Sequence, residues 1–239
     1  MAYRIAGYVF DVKARYETVP RILEPYRDDG IPEVTIEITQ DDIEHERDLS
    51  KKIDPDSEHT DRYLESLALL RKLSICLLSK NTILMHGSAV AVDGEAYIFT
   101  AESGTGKSTH ARLWRENLDK RVIMVNDDKP FLRVEEDRIV VCGSPWNGKH
   151  GLGENIEVPL RAICVLEQAK ENHIERIDFT DAIPVLMQQI YIPTQEAYTA
   201  EKALELADRI YSGVDLFRLG ANMEPEAAKL SYGTMSGRQ

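Results

Sequence analysis

The feature that most constrains the fold of this 239-residue chain is a strand that runs straight into a glycine-rich loop and then a helix. The apolar and aromatic run Ala96-Tyr-Ile-Phe-Thr100 passes into Ala101-Glu-Ser-Gly-Thr-Gly-Lys107-Ser108, and a helix opens at Lys107. Strand, loop and helix in that order are what a phosphate-binding loop requires. Gly104 and Gly106 can take backbone angles that turn successive N–H groups inward, and the helix N-terminus adds its partial positive charge. Ser103, Gly104, Thr105, Gly106, Lys107, Ser108 and Thr109 are therefore the expected phosphate-binding set. Lys107 would reach the β- and γ-phosphates, and the Ser108 hydroxyl would ligate Mg2+. The first position of such loops, usually Gly, is Ala101 here, a small change.

A nucleotide site also needs an acidic anchor. Val122-Ile-Met-Val-Asn126-Asp127-Asp128 supplies it, because a hydrophobic strand ending in carboxylates sets them beside the phosphate loop in a parallel or mixed sheet. Two adjacent carboxylates fit two tasks: one holds Mg2+ while the other accepts the proton of an attacking hydroxyl. His86, in Leu84-Met-His-Gly-Ser-Ala-Val90, is expected on a strand beside the one feeding the loop, in contact with phosphate or metal. The stretch Trp146 to Asn155 has three glycines with Lys149 and His150, a composition suited to a mobile flap over a γ-phosphate, where Lys149 would neutralise developing charge. Arg112 and Arg161 read as surface charges outside the catalytic set, and His110 as a packing or solvent-facing residue.

Charge divides the chain. Residues 1–60 carry 15 acidic and 8 basic side chains, a net of −7 out of −12 for the whole. Val34-Thr-Ile-Glu-Ile-Thr alternates as a strand should, Tyr3 to Phe10 reads as its partner, and Asp41 to Asp56 reads as a solvated connection. The boundaries read as an acidic β-rich module over 1–58, an α/β core over 59–231 and a flexible tail over 232–239. In the core, Leu67, Leu70, Leu73 and Leu77 predict a helix, and Ile83–Val92 and Ala96–Thr100 a hairpin turning at Asp93-Gly94. Leu132–Val134 with Ile139–Cys142 predict a second hairpin, and helices are expected near 181–191 and 199–211. A net charge of −12 argues against a nucleic-acid partner. No stretch has the uncharged apolar length of a membrane span, and the N-terminus lacks the pattern of an export signal, so a cytoplasmic protein is expected. Cys76, Cys142 and Cys164 fall in no metal-ligand spacing and read as reduced core thiols.

His86-Gly-Ser-Ala-Val90, Ser103-Gly-Thr-Gly-Lys-Ser-Thr109 and Asn126-Asp-Asp128, in that order, resemble the kinase core shared by HPr kinase/phosphorylase and phosphoenolpyruvate carboxykinases, over about Ile83 to Leu166. The chain is most similar to the compact HPr-kinase-like proteins of bacteria, which include kinases of a serine on lasso-peptide precursors. The run Gly143-Ser-Pro-Trp-Asn-Gly-Lys149-His150-Gly-Leu-Gly153 through Pro159-Leu resembles their further signature. The resemblance implies a mixed-sheet α/β P-loop kinase core, ATP as the nucleotide, and a superfamily that includes oligomers. It maps the base and metal anchor to Asp127 and Asp128 and the histidine near the phosphates to His86. The expected function is an ATP- and Mg2+-dependent kinase that phosphorylates a hydroxyl, foremost a serine of a peptide or protein. Asp127 would be the base, Ser108 and Asp128 the metal ligands, and His86 and Lys149 would steady the charge. The alternatives are a small-molecule kinase acting on a free serine-like hydroxyl and a non-catalytic nucleotide-dependent regulator.

Overall fold

A two-residue turn starts the chain folding: Ala6 and Gly7 both take positive φ, at 49° and 87°, the geometry that reverses a tight hairpin. The run expected as one strand from Tyr3 to Phe10 is therefore two, β1 (Ala2–Ile5) and β2 (Tyr8–Lys13), paired antiparallel. The predicted strand at Val34 forms as β3 (Val34–Glu37), parallel to β2. The computed structural model describes residues 1–148, 150–193 and 197–237, and the chain divides into two compact units, Met1–Leu77 and Leu78–Gln239.

In the first unit a short helix, α1 (Thr18–Leu23), precedes β3. The segment read as a solvated connection is a helix, α2 (Gln40–Ile53). A reciprocal capping box starts it: the Thr39 side chain accepts from the Asp42 N–H at 3.3 Å, and Asp42 accepts from the Thr39 N–H at 2.9 Å. Ile43 supplies a fully buried anchor, and Asp42, Glu46 and Arg47, among the charges that suggested solvent, are instead paired across to α3 (Asp61–Leu78). Arg71 reaches Glu46 at 2.5 Å and Asp42 at 3.3 Å, and Lys72 reaches Asp42 at 2.5 Å. Helix α3 forms at the predicted leucine spacing. All but its last residue belong to the first unit rather than to the core, because its partners are α2 and the fully buried Glu65 accepts the N–H groups of Arg15 and Tyr16.

The second unit is an α/β fold around a mixed sheet. Its strands are β4 (Thr82–Leu84), β5 (Ser88–Val92), β6 (Glu95–Thr100), β7 (Ile123–Asn126), β8 (Phe131–Val134), β9 (Ile139–Cys142), β10 (Glu157–Gln168), β11 (His173–Arg176) and β12 (Asp215–Ala221). The main sheet runs β7-β5-β6-β10-β12-β11. β6, β10 and β12 are mutually parallel, while β5 is antiparallel to both β6 and β7, so β7 points the same way as β6. The long β10 is shared: Glu157–Pro159 pair with β9, which leads through β8 to β4. The run expected as one strand over Ile83–Val92 is thus broken, β4 pairing with β8 and β5 with β6. The Asp93-Gly94 turn forms as predicted, with φ of 53° and 82°.

Strand periodicity sorts the core into two layers. Ile98, Ile163 and Val165 face helices α5 (Phe179–Gln189) and α6 (Ala197–Gly213) through Leu186, Leu206 and Ile210. Tyr97, Phe99 and Cys164 face α4 (Lys107–Asn117) and α7 (Pro225–Ser236) through Trp114, Ala228 and Met235. Helix α7 corrects the expectation of a frayed tail: Met235 is fully buried and the Tyr232 ring stands edge-on to Trp114 at 5.4 Å. Burial pushes the thiols of Cys142 and Cys164 well above the usual range, which fits inert core cysteines. Among the described residues no helix is long and apolar enough to cross a membrane.

Candidate active site

Strand order decides what meets at the edge of the sheet. Because β5 is antiparallel between β6 and β7, its N-terminal end lies beside their C-terminal ends. Three sequence-distant pieces converge there: His86-Gly87-Ser88 entering β5, the Ala101–Ser108 loop leaving β6, and Asp127-Asp128 leaving β7.

In the loop after β6, Gly106 has φ of 117° and Gly104 84°, and an added Cβ at either would meet open space. Positive φ turns the chain sharply into α4, whose N-terminus has no side-chain cap, so its first N–H groups are left for an external acceptor. The buried Lys107 ammonium donates to the carbonyls of Ala101 at 2.9 Å and Glu102 at 3.2 Å. Burial pulls it below the ordinary lysine range against the opposing pull of Asp128 and Asp127.

Asn126 organises the acidic pair. Its Oδ1 accepts the N–H groups of Asp128 at 2.8 Å and Lys129 at 2.6 Å, bending the chain as it leaves β7. Its Nδ2 donates to Ser144 O and Oγ, both at 3.1 Å, and to Asn147 Oδ1 at 3.0 Å, tying the Gly143–Asn155 loop to the strand end. Asp127 is buried, accepts the Ser88 hydroxyl at 2.8 Å through Oδ1, and lies against Gly148. Asp128 is held by Lys129 on Oδ2 and faces His86 Nε2 at 3.4 Å on Oδ1. Burial raises its carboxyl, but the contacts from His86 and Lys129 prevail and hold it below the usual carboxylate value.

His86 sits in the break between β4 and β5 rather than on a strand. Its N–H and that of Gly87 are taken by Gln189 O at 2.6 Å and Asp128 O at 3.0 Å, which withdraws both from any ladder. A Cβ on Gly87 would come within 3.0 Å of Phe99 O, so only glycine lets β6 pass this closely. The His86 ring is oriented by Gln189 Oε1, 3.1 Å from Nδ1. Lys149 lies outside the described residues. Of the stretch expected as a mobile flap, Trp146 is buried, while His150, Gly151 and Leu152 are exposed. His110, left open between packing and solvent, packs. Its Nε2 meets Ser231 Oγ at 2.9 Å, and burial lowers its pKa to about 4.

Three cavities surround the loop after β6. One of about 370 Å3 is bounded by Gly104–Gly106, Leu113, Leu166 and Met223. A second, of about 540 Å3, lies over Ala101–Thr105 and the end of β10. The third, about 340 Å3, has Ser108, Asp127, Arg112, Arg115 and His150 in its wall. The sequence reading missed Ser88, Lys129 and Gln189 as partners of the catalytic candidates. Ser88 and Lys129 adjoin residues already singled out, but Gln189 is 103 residues from His86 and carries no local signal.

No protein-family model matches the chain, and no curated protein matches it. Among solved structures it is similar to the HPr(Ser) kinase/phosphatase from Coxiella burnetii, at 9% identity and a TM-score of 0.37, over 64% of this chain and 97% of that one. At that TM-score the likeness carries no weight here, and the functional reading rests on the residues described above.

Proposed function

We propose that the chain is an ATP- and Mg2+-dependent kinase that phosphorylates a hydroxyl, foremost a serine of a peptide or protein. The observation that carries this reading is that Ser108, at the start of α4, and the buried Asp127, at the end of β7, line one cavity with Lys107 adjoining. The open, uncapped helix start fits a polyphosphate, and Ser103–Thr109 with Lys107 would bind it. The largely apolar cavity between Leu113, Leu166 and Met223 would take the base of the nucleotide.

The oxygen donors in the wall of that cavity include the Ser108 hydroxyl and the Asp127 carboxylate, the hard donors that suit Mg2+. Among the described residues no three His, Cys, Asp or Glu side chains form a metal cage. Mg2+ at kinase sites uses one or two protein ligands with substrate phosphates, and Ser108 and Asp128 would be those ligands. The metal would neutralise phosphate charge. Asp127 would accept the proton of the acceptor hydroxyl while its oxygen bonds to the γ-phosphorus and the bond to the bridging oxygen breaks, leaving ADP. The Ser88 hydroxyl on Oδ1 aims the carboxylate. His86 and Lys149 would steady the charge around the transferred group.

The test is transfer of label from γ-32P-ATP with Mg2+ to serine peptides and small hydroxy compounds, with Lys107→Ala and Asp127→Asn as controls. Label in wild type, absent in both variants, is expected. Tight ATP binding without label in any acceptor would move the reading to a nucleotide-dependent regulator.

A further inference from the structure

We infer that the cavity beside Ser108 is the acceptor site, and that it selects an acceptor bearing an anionic group, carboxylate or phosphate, besides the hydroxyl that is phosphorylated. This rests on the kinase reading and gives its substrate class. Ser108, Arg112 and Arg115 are spaced by four and three residues, so they share one face of α4. At 1.5 Å of rise per residue, the two arginines sit about 6 and about 10 Å along the axis from Ser108. All three line the cavity, together with Asp127 from the end of β7 and His150 from the Gly143–Asn155 loop. A hydroxyl delivered to Asp127 therefore leaves the rest of its molecule alongside two guanidinium forks.

The charge is local and specific to this cavity. Neither of the other two cavities around the loop is lined by a lysine or arginine among the described residues. The chain carries −12 overall, a field that opposes anions, so an anionic acceptor needs cations placed at the point of binding. Glu116, one turn on, braces Arg112 at 2.8 Å, while Arg115 has no ion pair among the described residues. A planar guanidinium matches carboxylate or phosphate through two parallel hydrogen bonds, which makes an arginine free to turn toward the cavity a selective receptor. Met124 and Leu152 complete the wall with apolar surface for the remainder of the acceptor. The residue set aside as a surface charge in the sequence, Arg112, thus belongs to the substrate site.

The test uses the full chain, γ-32P-ATP and Mg2+ with matched acceptors: serine peptides from a randomised pool ending in carboxylate or amide, the same peptides with aspartate, asparagine or phosphoserine beside the target serine, and free serine against serinamide. Arg112→Gln and Arg115→Gln are run in parallel, with Kd for MgADP measured by calorimetry. The expected result is a tenfold or greater kcat/KM for the anionic member of a pair. That preference should fall at least fivefold in each variant through a raised acceptor KM, with Kd for MgADP within twofold of wild type. Comparison of carboxylate with phosphoserine acceptors identifies which anion is used. Equal use of neutral and anionic acceptors, or an unchanged preference in both variants, overturns this inference and leaves the kinase reading standing. Absence of label in every acceptor while MgADP still binds overturns the kinase reading, and this inference with it.

Discussion

The two glycine-rich loops at the sheet edge use the same residue for opposite ends. In Ala101–Ser108 the glycines are needed for their backbone angle: Gly104 and Gly106 take positive φ and face open space. In Gly143–Asn155, Gly151 at φ of 59° does the same, but at Gly143 and Gly148 glycine is needed for closeness: a Cβ on Gly143 would lie 2.0 Å from Glu154 O, and one on Gly148 3.2 Å from Asp127 Oδ2. The first loop leaves room for a ligand, and the second packs backbone against the acids that would act on it. Glycine content alone therefore does not identify a mobile loop. What distinguishes the two is whether the space a Cβ would take is empty or filled.

The largest effect that sharpens this contrast is chemical. Asp127→Asn, close to isosteric beside Ser88 and Gly148, should lower phosphoryl transfer by about 10^2- to 10^4-fold while leaving the urea midpoint near wild type. A retained rate would remove Asp127 as the base. Next in size is the glycine pair. Gly143→Ala forces backbone against backbone and should cost about 3 kcal/mol or more in urea unfolding of the second unit. Gly104→Ala meets no atom and should cost only the left-handed strain, about 1–2 kcal/mol, with its larger consequence in weakened nucleotide binding. Equal destabilisation by the two would break the comparison.

A third prediction concerns helix α4. Its His110 is buried and titrates near 4, below the ordinary 6.5, because burial disfavours the cation. The unfolded chain takes up this proton first as pH falls. The stabilising contribution is therefore whole above about pH 7 and is lost progressively between pH 6.5 and 4, a change of about 2–3 kcal/mol. His110→Gln should flatten that part of the stability profile, and an unchanged slope in chemical denaturation would contradict the assignment. The smallest effect lies in the first unit. Thr39→Ala removes one half of the α2 capping box and should cost about 1 kcal/mol, read as a lower thermal midpoint with the activity of the second unit retained.

Much of the candidate site was legible in the chain because its parts are local. Gly104, Gly106, Lys107 and Ser108 carry their geometry in adjacent residues, and Asp127-Asp128 follow directly on the strand that presents them. The Asp93-Gly94 turn and the leucine spacing of α3 are likewise short-range physics. What was misread involved partners far along the chain. The acidic stretch that became α2 reads as solvated until Arg71 and Lys72 neutralise it from α3. The end of the chain reads as frayed until Trp114 and the sheet cover α7.

The sequence by itself determined a glycine-rich turn from strand into helix, an acidic pair at a strand end and an α/β alternation of strands and helices, because backbone preference and side-chain periodicity act within a few residues. Only the tertiary structure decided that β5 runs antiparallel between β6 and β7, which sets His86, Ser108 and Asp127 at one edge. Only it decided that Gln189 orients His86, and that Arg112, exposed on α4, shares a cavity wall with Asp127. Each of these depends on long-range pairing and burial, where the free energy comes from surfaces meeting rather than from any residue's own preference.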